Sequence, residues 1–427
     1  MQNRVQKKKK ISLTTMIFIA LLAGALTGVI INYLIPSNYV VDDIIVQGVF
    51  YIVGQGFIRL MRMLVVPLVF CSIVCGSMAV GDTKKLGSVG VKTLIFYLCT
   101  TALAITVALS IANIFNPGKG LDMSQIQVTS TVSETTQSMS MTETLLDIIP
   151  VNIFNSLSGG NMLQIIVFAL ILGVILANMG DRVDIVKNFF GQFNDIMMEM
   201  TMAVMKLAPI GVFCLIAKTF AEIGFEVFIP LLKYMFCVLL ALAVQCFVVY
   251  LGLLKIFSGL NPFIFIKNFF PVMAFAFSTS TSNATIPMNI DTLAEKMGVS
   301  KKISSFTIPL GATINMDGTS IMQGVAVVFT AQAFGIPLDM MDYLTVIGTA
   351  TLASIGTAGV PSVGLITLTM VFNSVGLPIE GIALIMGIDR ILDMTRTAVN
   401  ITGDAVCTTI VASWNKAVDR DVYYNRK

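Results

Sequence analysis

The sequence predicts an all-α polytopic membrane protein: eight transmembrane helices plus two re-entrant helical hairpins, arranged as inverted repeats. Three observations predict it. Hydrophobic residues make up 56% of the 427 residues and charged residues 12%, against roughly 25% charged in soluble domains. Long uncharged apolar stretches recur along the chain, at or beyond the roughly 20 residues that a spanning helix needs. Two late segments, FSTSTSNATIP at 277–287 and SIGTAGVP at 354–361, interrupt apolar runs with Ser, Thr and Gly. Interrupted spans at corresponding places in two halves point to a transporter binding site in mid-membrane.

The first helix is expected at 12–35, because no charged residue occurs from Ile11 to Val41. Arg4 and Lys7 to Lys10 before it resemble a signal-peptide n-region, but the apolar run is too long and no small-residue cleavage site stands out, so the helix is retained. Further spans follow at 44–79, 92–115, 146–178, 195–220 and 226–256. Pro209, in LAPIGVF, should bend or break its helix. The Ser/Thr-rich stretch 122–144 is too polar to span and reads as an exposed loop. It lacks Lys and Arg, whereas basic residues cluster at 4–10, 84–92, 182–187, 255–267 and 420–427. Short basic loops mark the cytoplasmic side, so both termini are expected in the cytoplasm.

Beyond residue 257 the pattern changes to broken hairpin (261–296), helix (303–338, with Asp317 its one charge), broken hairpin (343–379, uncharged) and helix (381–413). Each pair starts on the opposite side of the membrane from the other. The last helix carries Asp389, Arg390, Asp393, Arg396 and Asp404. At about 100° per residue, taking Asp389 as zero, Asp393 lies at about 40°, Arg396 at about −20°, Asn400 at about 20° and Asp404 at about 60°. Arg390 lies off that stripe. A charge at mid-bilayer costs at least about 2.5–3.5 kcal/mol, so such residues face an interior cavity.

Arg396 is a permanent cation whose fork can hold a carboxylate through two hydrogen bonds. Asp393 beside it can receive an ammonium group, which together suits a zwitterion with an extra carboxylate. The competing reading is an internal Arg396–Asp393 salt bridge, which leaves Asn400, Asp404 and Asp317 without a purpose. Asp317 and Asp404, with Asn315, Thr319, Gly318 and Gly403 beside them, offer hard oxygens to an alkali cation, helped by carbonyls freed where a helix unwinds at Gly. Desolvation could instead keep either acid protonated, so the residues alone leave sodium and proton open. Small Ser/Thr-rich tips let backbone approach a ligand closely; the plainer alternative is tight helix packing. Histidine is absent, which removes the commonest metal ligand. The seven cysteines sit mostly in apolar runs and read as small core residues.

The motifs NMDGT at 315–319 and DMTRTAVNITGD at 393–404, with RLMRMLVVPL at 59–68 and APIGVF at 208–213, resemble the glutamate transporter family of dicarboxylate/amino acid:cation symporters over nearly the whole chain. The resemblance implies a homotrimer of elevator type. It divides the chain into a cytoplasmic N-terminus (1–10), helices 1–6 (11–256, a scaffold whose helices 3 and 6 travel with the transport domain), a transport core (257–415) and a cytoplasmic tail (416–427). It also implies roles for residues. Arg396 would hold the side-chain carboxylate with Thr319. Asp393 would bind the amino group with Thr397 nearby, and Asn400 the α-carboxylate with Ser282. Gly359 and Val360 would close the second tip as the extracellular gate. One sodium site would use Gly311, Asn315, Asn400 and Asp404. A second would use Thr313, Met316, Ser354, Ile355 and Thr357, and a third Tyr97, Thr100, Thr101, Asn315 and Asp317. Every expected side-chain ligand is present, which tilts the expectation toward sodium. Gln323 stands where proton-coupled animal members have a glutamate.

The sequence departs from the family pattern at Asn283, where serine is usual, at Met394, where an accessory arginine is absent, and at Ser362 and Val363 after the gate's proline. Arg390, one helical turn from Met394, can replace that arginine. The resulting expectation is a symporter of acidic amino acids, L-aspartate first and L-glutamate next, coupled to sodium in a prokaryotic inner membrane. No cofactor, nucleic-acid partner or enzymatic activity is expected. The alternatives are a proton-coupled glutamate/aspartate symporter, a neutral amino acid or cystine transporter on the same fold, an ion channel, and an intramembrane aspartyl protease. A protease is disfavoured by Arg396 and by the missing GxGD pattern.

Overall fold

Apolar helices account for nearly all regular structure in the computed structural model, which describes residues 13–81, 88–121, 146, 149–224, 228–355 and 363–425. Among the described residues, six helical stretches are long and apolar enough to cross a membrane. They begin with α1 (Leu13–Leu34). A π-helical stretch (Val40–Phe50) runs directly into α2 (Tyr51–Gly81), and α3 spans Ser88–Phe115.

The expected span 146–178 is two helices, α4 (Ile153–Gly159) and α5 (Met162–Met179). Gly160 separates them at φ 70°, a left-handed conformation that glycine adopts at no steric cost. The expected span 195–220 is likewise two helices. The first, α6 (Asp184–Met205), starts earlier than hydropathy suggested, and α7 (Ala208–Ile223) begins with Pro209 in its first turn. A proline there costs nothing, since the N–H it lacks has no helical partner at that position. Helix α7 packs along α1, where a Cβ on Gly24 or Gly28 would fall within 3.0 Å of backbone at Phe213 and Ala217. Small residues four apart let two helix backbones approach in this way, and Asn32 Nδ2 extends the contact by donating to Ala221 O at 2.8 Å.

Helix α8 (Phe228–Ala243) passes through a second π-helical stretch (Val244–Tyr250) into α9 (Leu251–Ser258). The first hairpin follows as α10 (Pro262–Thr279) and α11 (Ser282–Met297), turned at Ser280 with φ 52°. The span 303–338, continuous by hydropathy, is broken into α12 (Lys301–Ile314) and α13 (Asp317–Ala333), with Asn315 and Met316 between them. The sequence suggests unwinding at Gly318 or Gly403; both are helical, and the break falls at Asn315 and Met316 instead.

Every residue of α13 except Gln332 is buried, the signature of a central helix apolar all round. The second hairpin comprises α14 (Met340–Ser354), opened by an Asp339–Asp342 capping box, and α15 (Val363–Ser374). The last long helix, α16 (Gly381–Trp414), is unbroken and packs against α8, α10, α12 and α13.

The chain then turns back over the base of the first hairpin. Asp419 N donates to Gly298 O at 2.8 Å and Ser300 N to Ala417 O at 3.0 Å. Helix α17 (Arg420–Tyr423) seats Tyr423, whose hydroxyl donates to Asn261 O at 2.8 Å.

Candidate functional site

Helix α16 presents its charged residues as a ladder. Arg396, 1% exposed, donates from Nη1 to Asp389 Oδ1 and from Nη2 to Asp393 Oδ1, both at 2.8 Å. Arg390 Nη1 reaches the other oxygen of Asp393 at 3.3 Å. The internal Arg396–Asp393 pair is therefore present, within a network of two cations and two anions. Arg396 Nε and Asp389 Oδ2 are buried and have no hydrogen-bond partner among the described residues. Thr397 donates to its own helix at Asp393 O, 2.8 Å away. A Cβ on Gly364 of α15 would meet the Thr319 methyl at 2.9 Å and Arg396 Nη2 at 3.5 Å, so Thr319 and the start of the second hairpin's return arm border the guanidinium.

One turn further along α16 the chemistry changes from ionic to amide and carboxylate. Asn400 Oδ1 accepts from Gly318 N at 2.7 Å, and its Nδ2 lies 3.4 Å from Met316 Sδ. Asn315, in the break between α12 and α13, donates to Asn400 O at 3.0 Å and to Asp404 Oδ1 at 2.8 Å. Its Oδ1 is buried and unpartnered among the described residues. Gly311 closes this pocket: a Cβ there would run into the Asp404 carboxylate and the Tyr97 hydroxyl. Gly403 does the same beside Tyr250 and Asn315.

Asp317, wholly buried, sits at the start of α13. It meets Thr101 Oγ1 at 2.5 Å from α3, and Gln245 Nε2 at 3.0 Å and Tyr250 Oη at 2.7 Å from the π-helical stretch. Thr100 and Thr101 hydroxyls also lie 3.1 and 2.8 Å from Tyr97 O.

Helices α3, α8 to α9, α12, α13 and α16 thus bring Tyr97, Thr100, Thr101, Gly311, Asn315, Met316, Asp317, Asn400 and Asp404 together. Thr313 and Ser354 turn their hydroxyls back onto carbonyls of their own helices, Leu310 and Thr351. Ile355 is buried just past the end of α14. Ser282 is buried at the start of α11. Its proposed partner Asn400 spends its amide on Gly318 and Met316. Thr357, Gly359, Val360 and Ser362 lie outside the described residues. Gln323 donates to Thr367 Oγ1 at 2.7 Å, linking α13 to α15.

Sequence reasoning missed Gln245, Tyr250 and the pairing of Asp389 with Arg396. The first two are polar residues in an otherwise apolar run. Asp389 was placed on the charged stripe but given no partner.

A bundle of apolar helices whose breaks converge on buried charged and amide groups is the architecture of a membrane transporter. Residues 13–414 match the Sodium:dicarboxylate symporter family, to which the chain belongs. It is 40% identical to the proton/sodium-glutamate symport protein of Bacillus caldotenax over 411 residues, 95% of each chain. It is 36% identical to the proton/glutamate-aspartate symporter of Escherichia coli (97% of this chain, 95% of the relative). C4-dicarboxylate transport protein 1 of Ralstonia nicotianae is 32% identical (95% and 93%). The family and these relatives are transporters, so the protease alternative falls away. The family uses no cofactor, a cation acting as coupling ion.

Proposed function

We propose that the chain is a sodium-coupled importer of acidic amino acids, L-aspartate foremost, in a prokaryotic plasma membrane with both termini cytoplasmic. In this reading it is a homotrimer in which the transport core (257–415) moves as an elevator against the scaffold helices. The observation that carries it is the buried Arg396 guanidinium with Asp393 beside it: a carboxylate-binding fork and an ammonium-binding carboxylate within one turn. Arg396 takes the substrate's side-chain carboxylate with Thr319, Asp393 its ammonium with Thr397, and Asn400 with Ser282 its α-carboxylate. Gly359 and Val360 close over them. A neutral side chain would leave the guanidinium facing an apolar group, at high cost.

Three cation sites accompany this reading. The unpartnered Asn315 Oδ1 beside Asp404 supports the first, with Gly311 and Asn400. The second takes Thr313, Met316, Ser354, Ile355 and Thr357. The third takes Asp317 with Tyr97, Thr100, Thr101 and Asn315.

One contact favours a second coupling reading. The Thr101 hydroxyl has a single proton, yet it lies within bonding distance of both Tyr97 O and Asp317 Oδ1. Two acceptors facing one proton call for a cation at Asp317, and a proton on the carboxyl satisfies them as a sodium ion does. Uptake of radiolabelled L-aspartate into proteoliposomes, driven separately by inward sodium and proton gradients, separates the two. Sodium alone should suffice. Uptake driven by protons alone reassigns Asp317 to proton carriage, and no uptake of aspartate or glutamate under either gradient overturns the substrate assignment.

A further inference from the structure

Arg390 holds a position that the substrate roles above leave without a task. Asp393 offers two oxygens, one bound by Arg396 and the other by Arg390. In the reading proposed above, on which this inference rests, a substrate ammonium must come to Asp393. The oxygen it would take is the one Arg390 already occupies. Of the two ion pairs to Asp393, that of Arg390 is the longer, 3.3 Å against 2.8 Å, and its side chain is 15% exposed against 1%. Arg390 borders a narrow cavity with Ile17, Phe57, Val212, Leu365 and Met386, at the seam between α16 and helices α1, α2, α7 and α15; the space there is about that of one water molecule, so withdrawal requires these helices to part.

We propose that Arg390 is a positioning residue that stands in for the ligand's ammonium group. When a ligand brings its own ammonium, Arg390 yields Asp393 Oδ2 and moves along the seam. When a diacid lacks one, Arg390 stays and keeps Asp393 neutralised, so the carboxylate does not face the ligand uncompensated. Arg390 therefore handicaps amino acids and admits plain dicarboxylates, and it sets the ratio between the two classes without touching either.

The test is L-aspartate uptake by the full chain in proteoliposomes, with succinate as competitor, in wild type, Arg390→Gln, Arg390→Met and Arg390→Lys. In the Gln and Met variants aspartate uptake persists, and the ratio of the succinate inhibition constant to the aspartate KM rises about tenfold or more, the size of one charge-assisted hydrogen bond. Lys, which keeps the cation, restores a ratio near wild type. A purely structural role would move both constants together. The inference is overturned by an unchanged ratio in a variant that still takes up aspartate, by loss of all uptake in both Gln and Met variants, or by a wild type that succinate does not inhibit. In each of these cases the assignment of acidic amino acids stands on wild-type uptake. Failure of the wild type to carry aspartate or glutamate overturns that assignment, and the inference with it.

Discussion

The two polar clusters of this molecule solve the burial of charge in opposite ways. Around Arg396, four charged residues of one helix neutralise one another within two turns. Around Asp317 and Asp404, the partners among the described residues are neutral: Thr101, Gln245 and Tyr250 for one, Asn315 for the other. They come from α3, the second π-helical stretch and the break between α12 and α13. A self-compensated cluster can exchange one ionic partner for another, as ligand binding requires. Two carboxyls ringed by neutral dipoles in an apolar interior, where an unpaired ion is costly, are satisfied by a bound cation or by a proton, and the reading proposed above assigns them sodium. In that reading, the difference separates the site that holds the acidic substrate from the sites that couple its movement to an ion.

Substitutions that collapse this distinction should have the largest effects. Arg396→Ala leaves Asp389 and Asp393 buried without their common cation, costing about 3–5 kcal/mol of stability. It should abolish acidic-substrate uptake, measured alongside thermal unfolding of the purified protein. Asp404→Asn removes charge from the neutral-donor cluster while leaving the α16 network untouched. The sodium concentration for half-maximal uptake should rise about tenfold or more, and substrate selectivity should stay unchanged. Gly311→Ala keeps every donor but pushes a methyl against Asp404 and Tyr97; overpacking of this kind costs about 1–3 kcal/mol. It should weaken sodium dependence in the same direction by less. Tyr250→Phe deletes one of three contacts to Asp317 and should shift sodium dependence a few-fold, since a typical hydrogen bond contributes about 0.5–1.5 kcal/mol net and Thr101 and Gln245 remain. If Tyr250→Phe changed substrate selectivity instead, the two clusters would not be separate.

Legibility in the sequence followed the same divide. The α16 cluster stood out because five charges in an otherwise apolar span fall on few faces, and α16 is unbroken, so the 100° arithmetic held along it. Arg390, off the stripe, reaches Asp393 because an arginine side chain spans the gap between positions three apart. The second cluster was half visible. Asp317, Asn315 and Asp404 declared themselves in motifs, but Gln245 and Tyr250 are five residues apart, about 140° round an α-helix, and read as unrelated. The π-helical stretch, with its wider i→i+5 turns, brings both round to Asp317. Hydropathy also ran unbroken through 303–338, hiding the Asn315–Met316 break. In 146–178 the Gly159–Gly160 pair was an available turn signal that the apolar flanks outweighed.

In the proposed reading, sodium bound in the neutral-donor cluster holds substrate at the charged one. The most direct test is calorimetric L-aspartate binding to the full chain, first across sodium concentrations at fixed pH, then across pH at fixed sodium. Affinity should climb steeply with sodium and change little with pH, and Asp317→Asn should flatten the sodium slope. Affinity that ignores sodium and follows proton concentration would mean that the neutral-donor cluster carries protons instead.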